Sequence, residues 1–84
     1  MISGKTMPLS ALLNCINKQV IIICKNGTQF IGRVSEVDEF MNIVLHDGQE
    51  YRNGNVEKVG VSLVQGRNIS IIRLDDITDS EFGL

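Results

Sequence analysis

The sequence predicts an all-β protein with one N-terminal helix, folded as a small, strongly bent barrel of the SH3-like or OB-like class. The chain has 84 residues, which is enough for one domain. Five short segments are rich in β-branched residues, and turns containing Asn or Gly separate most of them. Because Trp is absent and aromatic residues make up only 5% of the chain, the core of this barrel must be built from Ile, Val and Leu.

One short helix is predicted before the strands, after a flexible lead-in at residues 1–7. Pro8 suits the first turn of a helix, where its missing N–H costs nothing. Apolar residues then recur at the spacing of one helix face, at Leu9, Leu12, Leu13 and Ile16. This stripe predicts a surface helix that covers one end of the core and ends near Asn17.

The first two strands differ in their apolar pattern. Residues 20–23 are a continuous run of Val and Ile, which predicts a strand that is buried on both faces. Residues 28–38 alternate instead, with Phe30, Gly32 and Val34 on one face. A glycine in mid-strand is typical of a sharp bend or a close backbone approach, so we expect the sheet to bend at Gly32.

Turns delimit the remaining strands. The Asn-Gly pairs at residues 26–27 and 53–54 can adopt the positive φ angles of tight turns. The last three strands are predicted to contain residues 41–45, 56–64 and 69–74. Between the last two strands, residues 65–68 are by themselves typical of a hairpin turn.

Acidic residues gather near the C-terminus. The net charge of −2 argues against a strongly basic nucleic-acid binder. Four of the ten acidic residues, however, are Asp75, Asp76, Asp79 and Glu81. Without these four, eight basic residues stand against six acidic ones, so residues 1–74 carry a net charge of +2. We therefore expect residues 75–84 to be a short acidic tail on a mildly basic body.

Several classes of protein find no support. No apolar run reaches the ~20 residues that span a bilayer, and residues 1–10 lack the apolar stretch of a signal peptide. Ser35, Ser62 and Ser70 lie in predicted strands without the glycine spacing of a nucleophile elbow. No glycine-rich phosphate loop is present. We therefore expect that the protein is not an enzyme, binds no cofactor and has no membrane partner.

The thiols and the single histidine do not suggest a metal centre. Cys15 and Cys24 could form one disulfide, but without a secretion signal two buried, reduced thiols are favoured. Zinc would need more ligands than these cysteines and His46 provide at finger-like spacing. Asp38 and its acidic neighbours are more typical of exposed charges at a strand end than of an acid–base pair.

Two loops carry the residues that could bind a ligand. Residues 38–42 combine the carboxylate of Asp38, the ring of Phe40 and the amide of Asn42. An Asn amide can pair with the edge of a base, an aromatic ring can stack on its face, and a neighbouring carboxylate can orient the amide. The structural alternative is that Phe40 and Met41 pack in the core while Asn42 only holds a turn.

The second loop follows the fourth predicted strand. Gly66 allows an unusual backbone conformation or the close approach of a ligand, and Arg67 adds a positive charge. By itself this loop indicates little more than a turn.

Together the loops belong to a pattern that resembles the two motifs of the Sm and Sm-like (LSm) family. The residues that match the first motif are Gly27, Phe30, Gly32, Val34, Asp38, Met41, Asn42 and Leu45. Those that match the second are Val64, Gly66, Asn68 and Ile69. The resemblance covers residues 8–74, which it identifies as an Sm domain. Variants of the pattern resemble the E and F types and their Sm-like counterparts, which leaves the paralogue open.

The resemblance implies a partly open barrel and a ring. In that fold a strongly bent five-stranded antiparallel sheet follows the helix, and eukaryotic rings usually contain seven related subunits. The fourth strand of one subunit pairs with the fifth strand of the next. The side chains expected at this interface are Val61, Leu63, Ile69 and Ile71.

The resemblance also implies a binding site for uridine-rich single-stranded RNA in the hole of the ring. Asn42 would hydrogen-bond the uracil, Phe40 would stack on it, and Asp38 would orient Asn42. Gly66 would shape the facing wall. The sequence departs from the family at Gln65, because a basic residue usually precedes the glycine of the second motif. Arg67 lies two residues further on, so this subunit would bind its nucleotide more weakly or read a different one.

The expected role is that of an RNA-binding subunit in a heteromeric Sm-like ring. Such a ring would hold a small nuclear RNA in ribonucleoprotein assembly and pre-mRNA splicing in the nucleus, or act in mRNA decay in the cytoplasm. Two alternatives remain open at this point. One is a purely structural ring subunit with a weak pocket, which Gln65 favours. The other is an unrelated SH3-like module, although three Phe and one Tyr supply little of an aromatic groove.

Overall fold

The computed structural model describes residues 8–75, which fold as one helix and a five-stranded antiparallel sheet. The elements are α1 (Leu9–Leu13), β1 (Gln19–Cys24), β2 (Gln29–Val37), β3 (Ile43–Arg52), β4 (Asn55–Val64) and β5 (Ile69–Leu74). The order in the sheet is β4-β3-β2-β1-β5, so β4 and β5 are its two edges. The predicted fold class is thus confirmed. The lead-in at residues 1–7 and tail residues 76–84 lie outside the described residues.

The tight turns form where Asn-Gly pairs predict them. Asn53 and Gly54 have φ angles of 51° and 81° and join β3 to β4, as in a two-residue hairpin. Gly27, with φ of 92°, ends the turn between β1 and β2. These local conformations fix the register of two hairpins, and the register decides which side chains face the core.

The bend of the sheet depends on Gly32. A β-carbon at this position would lie 3.1 Å from the His46 carbonyl oxygen and from the Leu45 side chain. The pairing of β2 with β3 shifts register at this point, between Ile31 and Arg33, and again between Val34 and Glu36. Because such shifts bend a strand and increase its twist, β2 and β3 can curl around the core. The close approach predicted for Gly32 is therefore confirmed.

The first strand is buried on one face only, so the expectation of burial on both faces is wrong. Val20, Ile22 and Cys24 are buried, whereas Ile21 and Ile23 are half-buried. The buried side chains of β1 belong to one hydrophobic core, which also includes Leu12 of the helix. The opposite face of β1 is only partly covered among the described residues, so β1 shows the alternating burial of a strand with one face in the core.

The helix is shorter than predicted, and its apolar stripe is only partly used. α1 has five residues, and of the expected stripe Leu12 is fully buried whereas Leu13 is 47% exposed. The chain leaves the helix after Leu13, and Asn17, at a φ of 74°, donates its N–H to the Val34 carbonyl at 2.7 Å. This docking turns Cys15 toward the core in place of Ile16.

Both cysteines are buried, as predicted, and no disulfide joins them. Burial raises the pKa of the Cys24 thiol, and the negative charge of Glu50 raises this pKa further. Cys24 is therefore a protonated core side chain at neutral pH. No helix among residues 8–75 is long and apolar enough to cross a membrane.

The segment between β4 and β5 is a crossing and not a hairpin, because these strands lie at opposite edges of the sheet. It contains one turn of 3-10 helix, Gly66–Asn68. The turn is held by Asn68, whose N–H donates to Gln65 and whose carbonyl accepts the N–H of Lys25 at 2.8 Å. This crossing brings the second predicted loop next to the first.

Candidate nucleic-acid interface

The loop between β2 and β3 is organised by the carboxylate of Asp38. Its Oδ1 accepts the backbone N–H groups of Phe40 and Asn42, each at 2.9 Å. Its Oδ2 accepts the side-chain amide of Asn42 at 2.8 Å. Met41 adopts the left-handed conformation at a φ of 64°, which closes the loop tightly enough for these bonds. A single side chain thus fixes both the backbone of the loop and the orientation of the Asn42 amide.

These hydrogen bonds lower the pKa of the Asp38 carboxyl. The largest cause is the side-chain amide of Asn42, and the backbone N–H groups of Asn42 and Phe40 add to it. Desolvation acts in the opposite direction and is outweighed. Donors that bond the charged form favour that form, so Asp38 is ionised in the folded chain at neutral pH.

Acidification should therefore release this loop. Because the pKa of Asp38 is lowered on folding, its contribution is fully present above the ordinary aspartate value and is lost as pH falls through the lowered pKa. We expect the amide resonances of Phe40 and Asn42 to titrate together, with a midpoint below the ordinary value. An NMR titration measures this midpoint, and Asp38→Ala should remove the transition. A midpoint at or above the ordinary aspartate value would contradict the assigned hydrogen bonds.

The Asn42 side chain joins the two loops. While its Nδ2 donates to Asp38, its Oδ1 accepts the backbone N–H of Gly66 at 2.8 Å. The two residues are 24 positions apart in the sequence. Gly66 packs directly on the first loop, since a β-carbon there would overlap the Phe40 carbonyl oxygen and lie 2.9 Å from that of Met41. The role of the Gly66 N–H could not be predicted from the sequence, where the only signal was the glycine itself.

An open cavity of about 470 Å³ lies between the two loops. Its lining residues are Phe40, Asn42, Gln65, Gly66 and Arg67. The structure therefore brings together five of the six predicted site residues, and the sixth, Asp38, lies behind Asn42. Phe40 is 71% exposed, which excludes the alternative that it packs in the core. Met41, by contrast, does pack against the core.

The predicted contact residues on the two edge strands differ in how far their side chains are exposed. On β4, Val61 and Leu63 are 63% and 61% exposed, and on β5 Ile71 is half-buried. Ile69 differs from the prediction because it is fully buried. It pairs with Cys24 across a register shift in β5, which turns its side chain into the core of the chain itself. Its side chain therefore offers no surface to a neighbour.

Among residues 8–75, no group of three or more His, Cys, Asp or Glu side chains could hold a metal ion. The geometry instead combines an aromatic face, an oriented amide and a cation on one surface. This combination suits the flat ring and polar edge of a nucleobase.

Comparison with known proteins relates the whole sheet and both loops to one family. Residues 10–74 match the family model described as the LSM domain. The human U6 snRNA-associated Sm-like protein LSm8 is 33% identical over 81 residues, covering 89% of this chain and 84% of the human protein.

Two archaeal structures share the fold. The Pyrococcus abyssii Sm protein in complex with a uridine heptamer has a TM-score of 0.73 at 32% identity, over 80% of this chain and 96% of the other. A heptameric archaeal Sm protein has a TM-score of 0.72 at 31% identity, over 77% and 96%. From the match over 10–74, the bent sheet and the two motif loops it follows that this chain belongs to the Sm and Sm-like family.

Proposed function

We propose that this protein is a subunit of an Sm-like ring that binds uridine-rich single-stranded RNA. The observation that carries the proposal is the hydrogen-bond chain Asp38–Asn42–Gly66, which fixes the Asn42 amide beside the exposed ring of Phe40. The uridine heptamer bound by the similar Pyrococcus abyssii protein supports it. Membership of the Sm and Sm-like family agrees with a role in RNA binding. We propose no catalytic activity.

The Asn42 amide retains the groups that a base edge needs. An Asn side chain has two N–H donors and an oxygen with two lone pairs. Asp38 and Gly66 use one donor and one lone pair. The remaining donor and lone pair can bond an adjacent carbonyl and N–H, which uracil presents side by side. Phe40 supplies the stacking face, which contributes about 1–3 kcal/mol per base.

The ring follows from the edges of the sheet. β4 and β5 each have one side without a strand partner among residues 8–75, and Val61 and Leu63 are exposed on β4. Unpaired edges with apolar side chains favour pairing with another chain. The partners proposed are other Sm or Sm-like subunits in a heteromeric ring of seven, and the heptameric archaeal relative supports this number.

The proposed setting is small nuclear ribonucleoprotein assembly and pre-mRNA splicing in the nucleus. Its support is the human relative, which is named for its association with U6 small nuclear RNA. The same chemistry would serve mRNA decay in the cytoplasm. A purely structural ring subunit is the second candidate, favoured by the uncharged Gln65 at the position before Gly66.

Asn42→Ala should weaken binding to oligouridine more than binding to oligoadenosine. The substitution removes edge recognition and leaves the stacking face in place, whereas Phe40→Ala should weaken both more evenly. We expect a loss of about 1–3 kcal/mol per pocket. Fluorescence anisotropy with labelled heptamers of the two nucleotides measures the difference.

Asn53→Ala is the matched control, since Asn53 lies in the β3–β4 turn and not on the cavity. Asn53→Ala should leave the affinities of the folded protein for oligouridine and for oligoadenosine unchanged. Equal losses on both oligonucleotides for Asn42→Ala would mean that Asn42 is structural, as the second candidate function requires.

A further inference from the structure

Arg67 is the only charged residue among the described residues that line the cavity of Phe40 and Asn42. Its side chain is exposed, whereas the preceding Gly66 is buried against the first loop. The cation therefore lies at the solvent side of the cavity beside the exposed ring of Phe40, whereas Asn42, which could hold the base edge, is half-buried.

The turn that carries Arg67 is fixed on both sides. Gly66 donates its N–H to Asn42 at 2.8 Å, which ties the turn to the proposed base-reading residue. Asn68 accepts the Lys25 N–H at 2.8 Å, which ties it to the end of β1. Both anchors engage the backbone of the turn, one to the Asn42 side chain and one to the Lys25 N–H, so the fold sets where the backbone of Arg67 lies relative to Asn42.

Arg67 also lacks an acidic partner within residues 8–75. The ion pairs there join Arg33 to Asp47 at 3.1 Å and Arg52 to Glu50 at 2.6 Å. The first loop brings Asp38 and Glu39 to the same region, and their charges repel a polyanion. A free cation beside them is the group that a nucleic-acid strand needs there.

We propose that Arg67 is the phosphate-binding residue of this subunit. The inference rests on the proposed function. Gln65 has no charge, so even where its side-chain N–H groups donate to a phosphate it releases no counterion and adds nothing to the salt dependence. Arg67 binds the backbone and not the base, because a base on Phe40 and Asn42 leaves its phosphate at the solvent side. A guanidinium can bind phosphate there through two parallel hydrogen bonds.

The test compares the salt dependence of oligouridine binding by the full chain in its assembled form. A fluorescein-labelled uridine heptamer is titrated at several salt concentrations for the wild type, Arg67→Ala, Arg67→Lys and Lys18→Ala. Arg67→Ala should reduce the slope of log K against log salt by about 0.7 for each phosphate that the guanidinium neutralises in the wild type. Arg67→Lys should keep the slope, since it keeps the charge. Lys18→Ala removes an equal charge from the exposed segment before β1, outside the cavity and both edge strands, and should also keep the slope.

The preference for oligouridine over oligoadenosine is the second measurement. It should be unchanged in Arg67→Ala, because a phosphate contact carries no base identity. The assignment of Arg67 would be overturned if the Arg67→Ala variant kept the salt slope of the wild type or changed its base preference. In either case, oligouridine binding by the wild type would still support the proposed function. A wild type that binds no oligouridine would overturn both.

Discussion

Leu63→Asp is expected to convert the assembled protein into folded monomers. Leu63 is 61% exposed on the edge strand β4, so the isolated subunit gains little from its side chain. In the proposed ring this side chain is buried against the fifth strand of the next subunit. Burying a leucine contributes about 1.5–3 kcal/mol, and an aspartate would in addition place an unpaired charge in the interface. Native mass spectrometry with the partner chains measures the loss of assembly.

Two control variants separate assembly from folding. Leu13→Asp replaces another exposed leucine, on α1 and not on either edge strand, and should leave assembly intact. Ile69→Asp should instead unfold the chain, because Ile69 is fully buried. Circular dichroism should show a folded β-sheet spectrum and a cooperative thermal transition for Leu63→Asp, without the extra stability that assembly gives the wild type. A wild-type chain that stays monomeric with its partners at micromolar concentration would contradict the ring, as would full assembly of Leu63→Asp.

Much of the fold could be predicted because it depends on local conformation. The Asn53-Gly54 turn needs two positive φ angles, and this residue pair adopts them at low cost. Period-two alternation in β2 likewise follows from the geometry of any strand with one buried face. The motif loops also predicted Asp38, Phe40 and Asn42 as site residues. The structure places Phe40 and Asn42 at one cavity and Asp38 directly behind Asn42.

The errors of prediction occurred where long-range packing decides between similar residues. Leu13 and Ile16 have the spacing of a helix face, yet the docking of Asn17 on β2 ends the helix early and buries Cys15 instead. Ile69 and Ile71 look equivalent in the sequence, but the register shift opposite Cys24 buries only the first. The bond from Gly66 to Asn42 spans 24 residues, and no local pattern indicates it.

The contact between the two loops makes Gly66 the most sensitive position of the proposed site. Gly66 is not at a positive φ, so alanine would suit its backbone conformation, and any effect must come from contact. The added β-carbon would overlap the Phe40 carbonyl oxygen, and backbone atoms cannot give way as a flexible side chain would. The first loop must therefore move away, which breaks the Gly66–Asn42 bond and displaces the ring of Phe40.

Gly66→Ala is thus expected to abolish oligouridine binding, because edge recognition and stacking disappear together. Stacking alone contributes about 1–3 kcal/mol per base. The overpacked contact should also lower the free energy of unfolding by about 1–3 kcal/mol. Oligouridine anisotropy and denaturant unfolding measure the two effects.

Gly54→Ala is the matched control. Gly54 has a φ of 81°, and no atom lies within 4 Å of the β-carbon that alanine would add, so the substitution strains only a turn outside the cavity. It should therefore lower stability by about 1–2 kcal/mol and leave binding by the folded protein unchanged. If Gly66→Ala bound oligouridine like the wild type, the two loops could separate without consequence, and the cavity between them could not be the RNA site.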